Sequence, residues 1–183
     1  MPELFDGLSP EASLLVQTAA SRHVWGRGTY LLREGAPARH IHGIEQGAVR
    51  VRYLKDGKEI NLRFLFEGAF ATNLKSLRSG AAADCSLVAM ERTTTLTLEG
   101  SALRILYDRS PEVERWGRSL LESLLIQEQG HADLFKLYTP EERYAWLKQH
   151  EPALIQRVPQ TQLASYLGVS RESLSRIRAR LRK

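Results

Sequence analysis

The stretch QTQLASYLGVSRESLSRIRARL, Gln160 to Leu181, decides how the rest of the chain is understood. It reads as two short helices around one glycine. In the first helix Leu163, Ala164 and Leu167 share an apolar face, with a small alanine where two helices must approach closely. Gly168 permits the positive φ of a sharp turn, Val169 plugs the angle, and Ser170 is a good N-cap for the second helix. On a helical wheel Leu174, Ile177 and Leu181 fall within about 60° of one another and form a buried face. Arg171, Glu172, Ser175, Arg176, Arg178 and Arg182 lie on the other side. This is a helix-turn-helix pattern, and the first turn of its second helix is the part that enters a DNA major groove.

The residue types suit that use. Arginine can take guanine O6 and N7 together, and glutamate can accept from cytosine N4. Glu172 is informative because it would repel a phosphate backbone. The plainer reading of Glu172 is a carboxylate favoured at a positive helix end, worth about 0.3–1 kcal/mol. The plainer reading of Arg176 is a phosphate contact without base readout. A different class is a sensor or interaction protein whose last helices bind only protein. Such a helix should carry an apolar anchor on its polar face, and this one has none.

Charge placement agrees with a polyanion partner. From Arg171 onward Arg171, Arg176, Arg178, Arg180, Arg182 and Lys183 stand against Glu172 alone, a net of +5 that equals the excess of the whole 183-residue chain. A solvated terminal helix would show the same charge.

Upstream, three textures follow one another. Ser9 and Pro10 open a helix in which Leu14, Leu15, Thr18 and Ala19 recur at helical spacing. Residues 21–108 are short segments cut by glycines. GAVRVRYL alternates at strand period, Asp56-Gly57 is a hairpin signal, and INLRFLFE places Ile60, Leu62, Phe64 and Phe66 on one face. With ERTTTLTLEG, this argues for a β-sandwich, barrel or roll. From Pro111 to Tyr138 the period turns helical. Val113, Gly117, Leu120, Leu124, Gln127, His131, Leu134 and Tyr138 form a heptad seam. Leu121, Leu125, Ala132 and Phe135 form a second stripe beside it. One stripe can pack on the β-domain and the other on a second copy; a helix buried on both sides in its own domain is the alternative. The seam is taken as the dimer surface, through Val113, Leu120, Leu124, Gln127, His131 and Leu134. Thr139 then caps a helix from Pro140 that ends near His150.

Other chemistries find little support. No apolar run reaches the ~18 residues of a membrane span. The acidic start is unlike a signal peptide, and the single Cys85 excludes an internal disulfide, which together suit the cytoplasm. His40 and His42 share a face but lack a third ligand, so no metal is expected. No cofactor is expected, and no nucleophile motif, phosphate loop or carboxylate pair marks an enzyme.

The chain resembles the CRP/FNR superfamily of bacterial transcription regulators. GTYLLREGAPARHIHGIEQGAVRVRYLKDGKEINLRFLFEGAF is similar to the first half of the family's effector domain, and PEERYAWL with VPQTQLASYLGVSRESLSRIRARL to its DNA-binding domain. The resemblance implies an α+β chain. A jelly-roll-like, cyclic-nucleotide-binding-like β-roll would span 1–110, a dimerisation helix 111–138 and a helix-turn-helix domain 139–183. It implies a homodimer on double-stranded DNA, with RNA polymerase as a further partner, controlled by a signal received in the roll. Arg171, Glu172 and Arg176 match the base-reading residues of members that recognise TGTGA-type half-sites. Thr161, Gln162, Ser170, Ser173, Ser175 and Arg178 complete the candidate DNA-contacting set.

Two departures stand out. The phosphate cradle of cyclic-AMP-binding members carries a Gly-Glu-Leu segment and then an Arg-Ser or Arg-Thr pair. Here Thr72 and Asn73 replace the Gly-Glu, Leu74 is kept, and Ala83 and Asp84 replace the pair. A cyclic phosphate needs a cation, and Asp84 would repel it. Arg78 is the nearby cation that could substitute in a shifted loop. The candidate effector pocket is therefore Phe70, Asn73, Leu74, Arg78, Ala83 and Asp84, without tight cyclic AMP binding. The alternative is a regulator that does depend on a cyclic nucleotide or another small ligand. Second, only two residues follow Leu181, which leaves no room for the family's β-hairpin wing.

Overall fold

The computed structural model describes residues 2–181; Arg182 and Lys183 of the basic cluster lie outside the described residues. A 3-10 turn over Pro2–Phe5 precedes α1 (Pro10–Ala19). Eight strands follow: β1 (Ser21–Trp25), β2 (Tyr30–Leu32), β3 (His40–Gln46), β4 (Val49–Lys55), β5 (Lys58–Leu65), β6 (Phe70–Ala71), β7 (Ser86–Ala89) and β8 (Thr93–Glu99). The short helix α2 (Leu74–Ser79) interrupts them, and α3 (Gly100–Arg109) follows them. The rest is helical: α4 (Pro111–Leu137), α5 (Pro140–His150), α6 (Pro152–Arg157), α7 (Gln160–Leu167) and α8 (Arg171–Arg180).

The strands form two antiparallel four-stranded sheets, ordered β1-β8-β3-β6 and β2-β7-β4-β5. The α+β architecture expected from the sequence, with an antiparallel β-domain followed by helices, is the one observed. Asp56 and Gly57 both take positive φ, 52° and 73°, as a two-residue turn with a right-twisted hairpin requires. Inside the roll Ile44, Val49, Ala71 and Leu87 are packed together. The threonines of β8 also point inward: Thr93, Thr95 and Thr97 are buried. Its other face carries Leu96 and Leu98 against the helices, where Leu4, Phe5, Val16, Leu106 and Val113 close a second core. Both faces of β8 are covered, so its alternation sorts hydroxyls from leucines rather than wet from dry.

The single-face expectation for β5 fails at a β-bulge. Val51 pairs with Arg63 but Arg52 with Asn61, so Leu62 is the extra residue. One extra residue reverses the side-chain phase. Asn61 and Phe64 are buried, whereas Ile60 and Leu62 stay 37% and 38% exposed. The first helix starts where expected, with Ser9 Oγ accepting from the Ala12 N–H at 3.2 Å. It packs by Ala12 and Val16, however, and leaves Leu14 and Leu15 exposed. The start of α5 also agrees with its sequence signal: Thr139 and Glu142 form a capping box.

Candidate nucleic-acid interface and effector pocket

The elbow before α8 is built as the residues suggest. Gly168 adopts φ +71°, and its N–H together with that of Val169 closes the end of α7 onto Ala164 and Ser165 carbonyls. Ser170 Oγ accepts from the Ser173 N–H at 3.1 Å and starts α8. Leu174 and Ile177 are buried against Leu163, Leu167 and Leu147. That leaves Arg171, Glu172, Ser175 and Arg176 exposed together, with Ser173 and Arg178 half-buried beside them. Arg176 reaches Ser173 Oγ at 3.3 Å. The Glu172 carboxyl is held below its usual range, first by its own backbone N–H and then by Ser170. It is therefore a ready acceptor at the helix start.

The two α7 residues of the candidate set part company. Thr161 is exposed, but Gln162 is half-buried and its Oε1 is buried without a partner. The cause is that α7 lies on the β-roll. Ser165 Oγ accepts from the Asn61 N–H at 3.2 Å and donates to the Glu59 carbonyl at 3.1 Å. Those groups belong to β5, the edge of its sheet, so one hydroxyl satisfies two exposed edge groups. Tyr166 meets Phe64 edge-on at 5.5 Å and His131 Nε2 at 2.8 Å. Arg157 of α6 grips Glu67 through two nitrogens at 2.6 and 3.0 Å, and also contacts Glu91. The guanidinium holds the Glu67 carboxyl down to about 2, and Arg157 itself is raised in return.

On α4 the heptad seam faces its own chain. Val113 is fully buried in the core beside α1 and α3, and Leu134 is buried with α5 and α7. Leu120 lines an apolar cavity of about 50 Å³ with Phe70 and Trp116. Gly117 admits the Tyr107 ring, and His131 is bound to Tyr166. Leu124 is half-buried, while Gln127 is exposed. Most of the side chains of this seam are spent within the chain. The neighbouring stripe is open, with Leu121 45% and Leu125 70% exposed. Two stripes satisfy the heptad period, and contacts from distant elements set which of them packs on the chain.

In the region expected to hold an effector, Asn73 and Asp84 are bonded to each other. Asn73 caps α2, accepting from the Ser76 N–H at 2.9 Å. Its amide donates to Asp84 Oδ1 at 2.7 Å and to Cys85 Sγ at 3.2 Å. The Asn73 amide is the chief cause of the lowered Asp84 pKa, and Lys75 stands 3.6 Å from the same carboxylate. Burial, and then Asp84 beside it, push the Tyr53 hydroxyl up to about 12. Ala83 is buried in a β-bridge region, with its N–H on the Ala36 carbonyl. Leu74 and Arg78 are exposed, and Phe70 faces the apolar cavity on the far side of the sheet. The six residues therefore do not converge on one pocket.

Residues 22–110 match the family described as cyclic nucleotide-binding domain. Over 179 residues the chain is 28% identical to the cyclic AMP receptor protein of Thermus thermophilus, covering 95% of this chain and 82% of that one. The chain is therefore similar to that receptor protein along nearly its whole length, with the family match confined to the roll and α3. The crystal structure of the Thermus thermophilus catabolite activator protein superposes with a TM-score of 0.62 at 27% identity, over 98% of this chain and 86% of that one. FixK2 of Bradyrhizobium japonicum shares the fold, with a TM-score of 0.75 at 22% identity over 89% and 84% of the two chains. Among the described residues of this chain no helix is long and apolar enough to cross a membrane.

The two histidines of β3 separate. His40 is exposed, while His42 is buried with Nδ1 2.9 Å from Thr97 Oγ1, and Trp25 donates to Thr95 alongside at 2.9 Å. Burial, then His40 and His23, push the His42 imidazole down to about 4. The folded chain keeps it neutral, whereas an unfolded histidine takes a proton near 6.5. Stability from His42 is therefore whole above about pH 6.5 and lost as pH falls towards 4, on the order of 3 kcal/mol. Urea unfolding of His42→Asn should show a flatter dependence in that window than the parent; an unchanged slope contradicts the assignment.

The docking residues Arg157, Glu67, Ser165 and Gln162 carried no role in the sequence reading beyond Gln162 as a DNA contact. Arg157 and Glu67 are 90 positions apart. No local pattern links them.

Proposed function

We propose that this CRP/FNR-like chain is a sequence-specific DNA-binding transcription regulator that acts as a homodimer on a palindromic site. The observation that carries this is the face of α8. Arg171, Glu172 and Arg176 stand exposed on a helix whose opposite side is fixed by buried Leu174 and Ile177 behind a glycine elbow. A rigid helix presenting two guanidinium forks and one carboxylate acceptor suits G·C readout in a major groove. TGTGA-like half-sites are the matching target. The homodimer would form through Leu121, Leu125 and Ala132 of α4, the stripe the chain leaves open. RNA polymerase is then a partner at the promoter.

Cyclic AMP is not the controlling signal in this reading, although the Thermus relative is named as its receptor. A cyclic phosphate would have to displace the Asn73 amide from Asp84 and be desolvated beside that carboxylate, where the cation at hand is the exposed Lys75. One titration tests both halves. Duplex binding should weaken about tenfold or more between 50 and 200 mM salt, as counterion release demands. Added cyclic AMP should leave the curve unchanged. Salt-insensitive binding would favour the protein-binding alternative, and a shift at micromolar cyclic AMP would restore the ligand-dependent one.

A further inference from the structure

A cleft of about 310 Å³ lies where the β-roll meets α6 and α7. Its roll side is formed by Arg27, Arg50 and Glu91, and its helical side by Arg157 and Gln162. Three guanidinium groups thus line one cavity with a single carboxylate. Their charges are unevenly answered. Arg157 is matched by Glu67 and Glu91. Arg50 shares Glu59 with Arg52. Arg27 makes no ion pair among the described residues. Burial pushes the Arg50 guanidinium down. The cavity therefore offers positive charge on its roll side, with Arg27 left unanswered by any carboxylate among the described residues.

We propose that this cleft is a binding site for a small organic anion, one that sets a phosphate or carboxylate against Arg27 and Arg50. It is separate from the Asn73–Asp84 region and joins two parts of the chain. A ligand that fills the cleft between Arg27 and its helical wall holds α7 on the roll. The binding half of the proposal is independent of the reading as a regulator. Its consequence rests on that reading: Gln162 is in the candidate DNA-contacting set, so a ligand that keeps it in the cleft opposes DNA.

The test is calorimetry on the full chain with four probes: ribose 5-phosphate, citrate, inorganic phosphate and uncharged ribose. Arg27→Glu and Arg27→Lys are compared with the parent. Arg27 is exposed on a turn, so both variants should fold, which a melting curve checks. Ribose 5-phosphate or citrate is expected to bind more tightly than inorganic phosphate, and ribose not at all. Preference between the first two distinguishes a phosphorylated from a polycarboxylic ligand. Arg27→Glu should weaken binding about tenfold or more, and Arg27→Lys much less. Binding that is equal in the parent and Arg27→Glu overturns the site, as does the absence of binding by every probe at millimolar concentration. At matched ionic strength the binding probe should weaken duplex binding by the parent and not by Arg27→Glu. If the parent binds no duplex at all, the regulator reading fails while the calorimetric result stands.

Discussion

Arg171→Ala should cost about 1–3 kcal/mol of binding to the cognate duplex, and Arg176→Ala a similar amount. The reason is geometric. Both guanidinium groups stand on the exposed side of α8, with their backbone anchored by Leu174 and Ile177 at 0% and 7% exposure. Neither arginine supports the core, so truncation should leave the melting temperature within about 1 °C, as surface changes usually do. Binding to a scrambled duplex should fall far less than binding to the cognate one, because base contacts specify and phosphate contacts do not. Arg178→Ala, from a half-buried position at the edge of the face, should weaken both duplexes alike. The measurement is fluorescence anisotropy at fixed salt with the two duplexes side by side. A loss shared equally by both for Arg171→Ala would reduce that residue to a phosphate contact.

Gly47→Ala should be the most destabilising of these changes, at about 2–5 kcal/mol. Gly47 has φ +97°, where a side chain is strained whatever the space. Here the space is missing too. An added Cβ would lie 2.7 Å from the Arg92 carbonyl oxygen and 2.8 Å from Thr93 Cα. Both are backbone atoms at the start of β8, so relief requires moving a strand that pairs on both sides. Gly57→Ala is the control. It has φ +73° but nothing within 4 Å of the new Cβ, so only the conformational cost of about 1–2 kcal/mol applies. Gly47 also links the roll to the docked helices, since its N–H donates to Glu67 Oε1 at 2.7 Å and Glu67 holds Arg157. Thermal unfolding should therefore show the larger loss for Gly47→Ala, with earlier proteolysis around α6. Equal losses at the two glycines would contradict the account of the turn.

These cases show which parts of the chain were legible. The elbow at Gly168 and the hairpin at Asp56-Gly57 were, because cap, turn and period lie within a few residues of one another. The start of α5 at Thr139 was legible for the same reason. The bulge at Leu62 was not, since the alternation of INLRFLFE is unbroken in the sequence and the extra residue appears only against β4. The helices α2, α3 and α6 are short or lie in glycine-punctuated stretches where strand signals dominate. On α4 the period was plain, but two adjacent stripes satisfied it, and packing against Tyr107 and Tyr166 chose between them. In the candidate site the exposed α8 face was legible, and the fate of Gln162 was not. Its burial depends on Arg157 meeting Glu67 and on Ser165 covering the β5 edge, both set by long-range docking.

The measurement that bears most directly on the whole account is selection from a pool of random duplexes by the purified chain. The expected product is a two-fold symmetric site with G·C pairs where Arg171, Glu172 and Arg176 meet each half-site, its half-sites one helical turn apart. A pool that returns no symmetric sequence, or one without G and C in the half-sites, would contradict it.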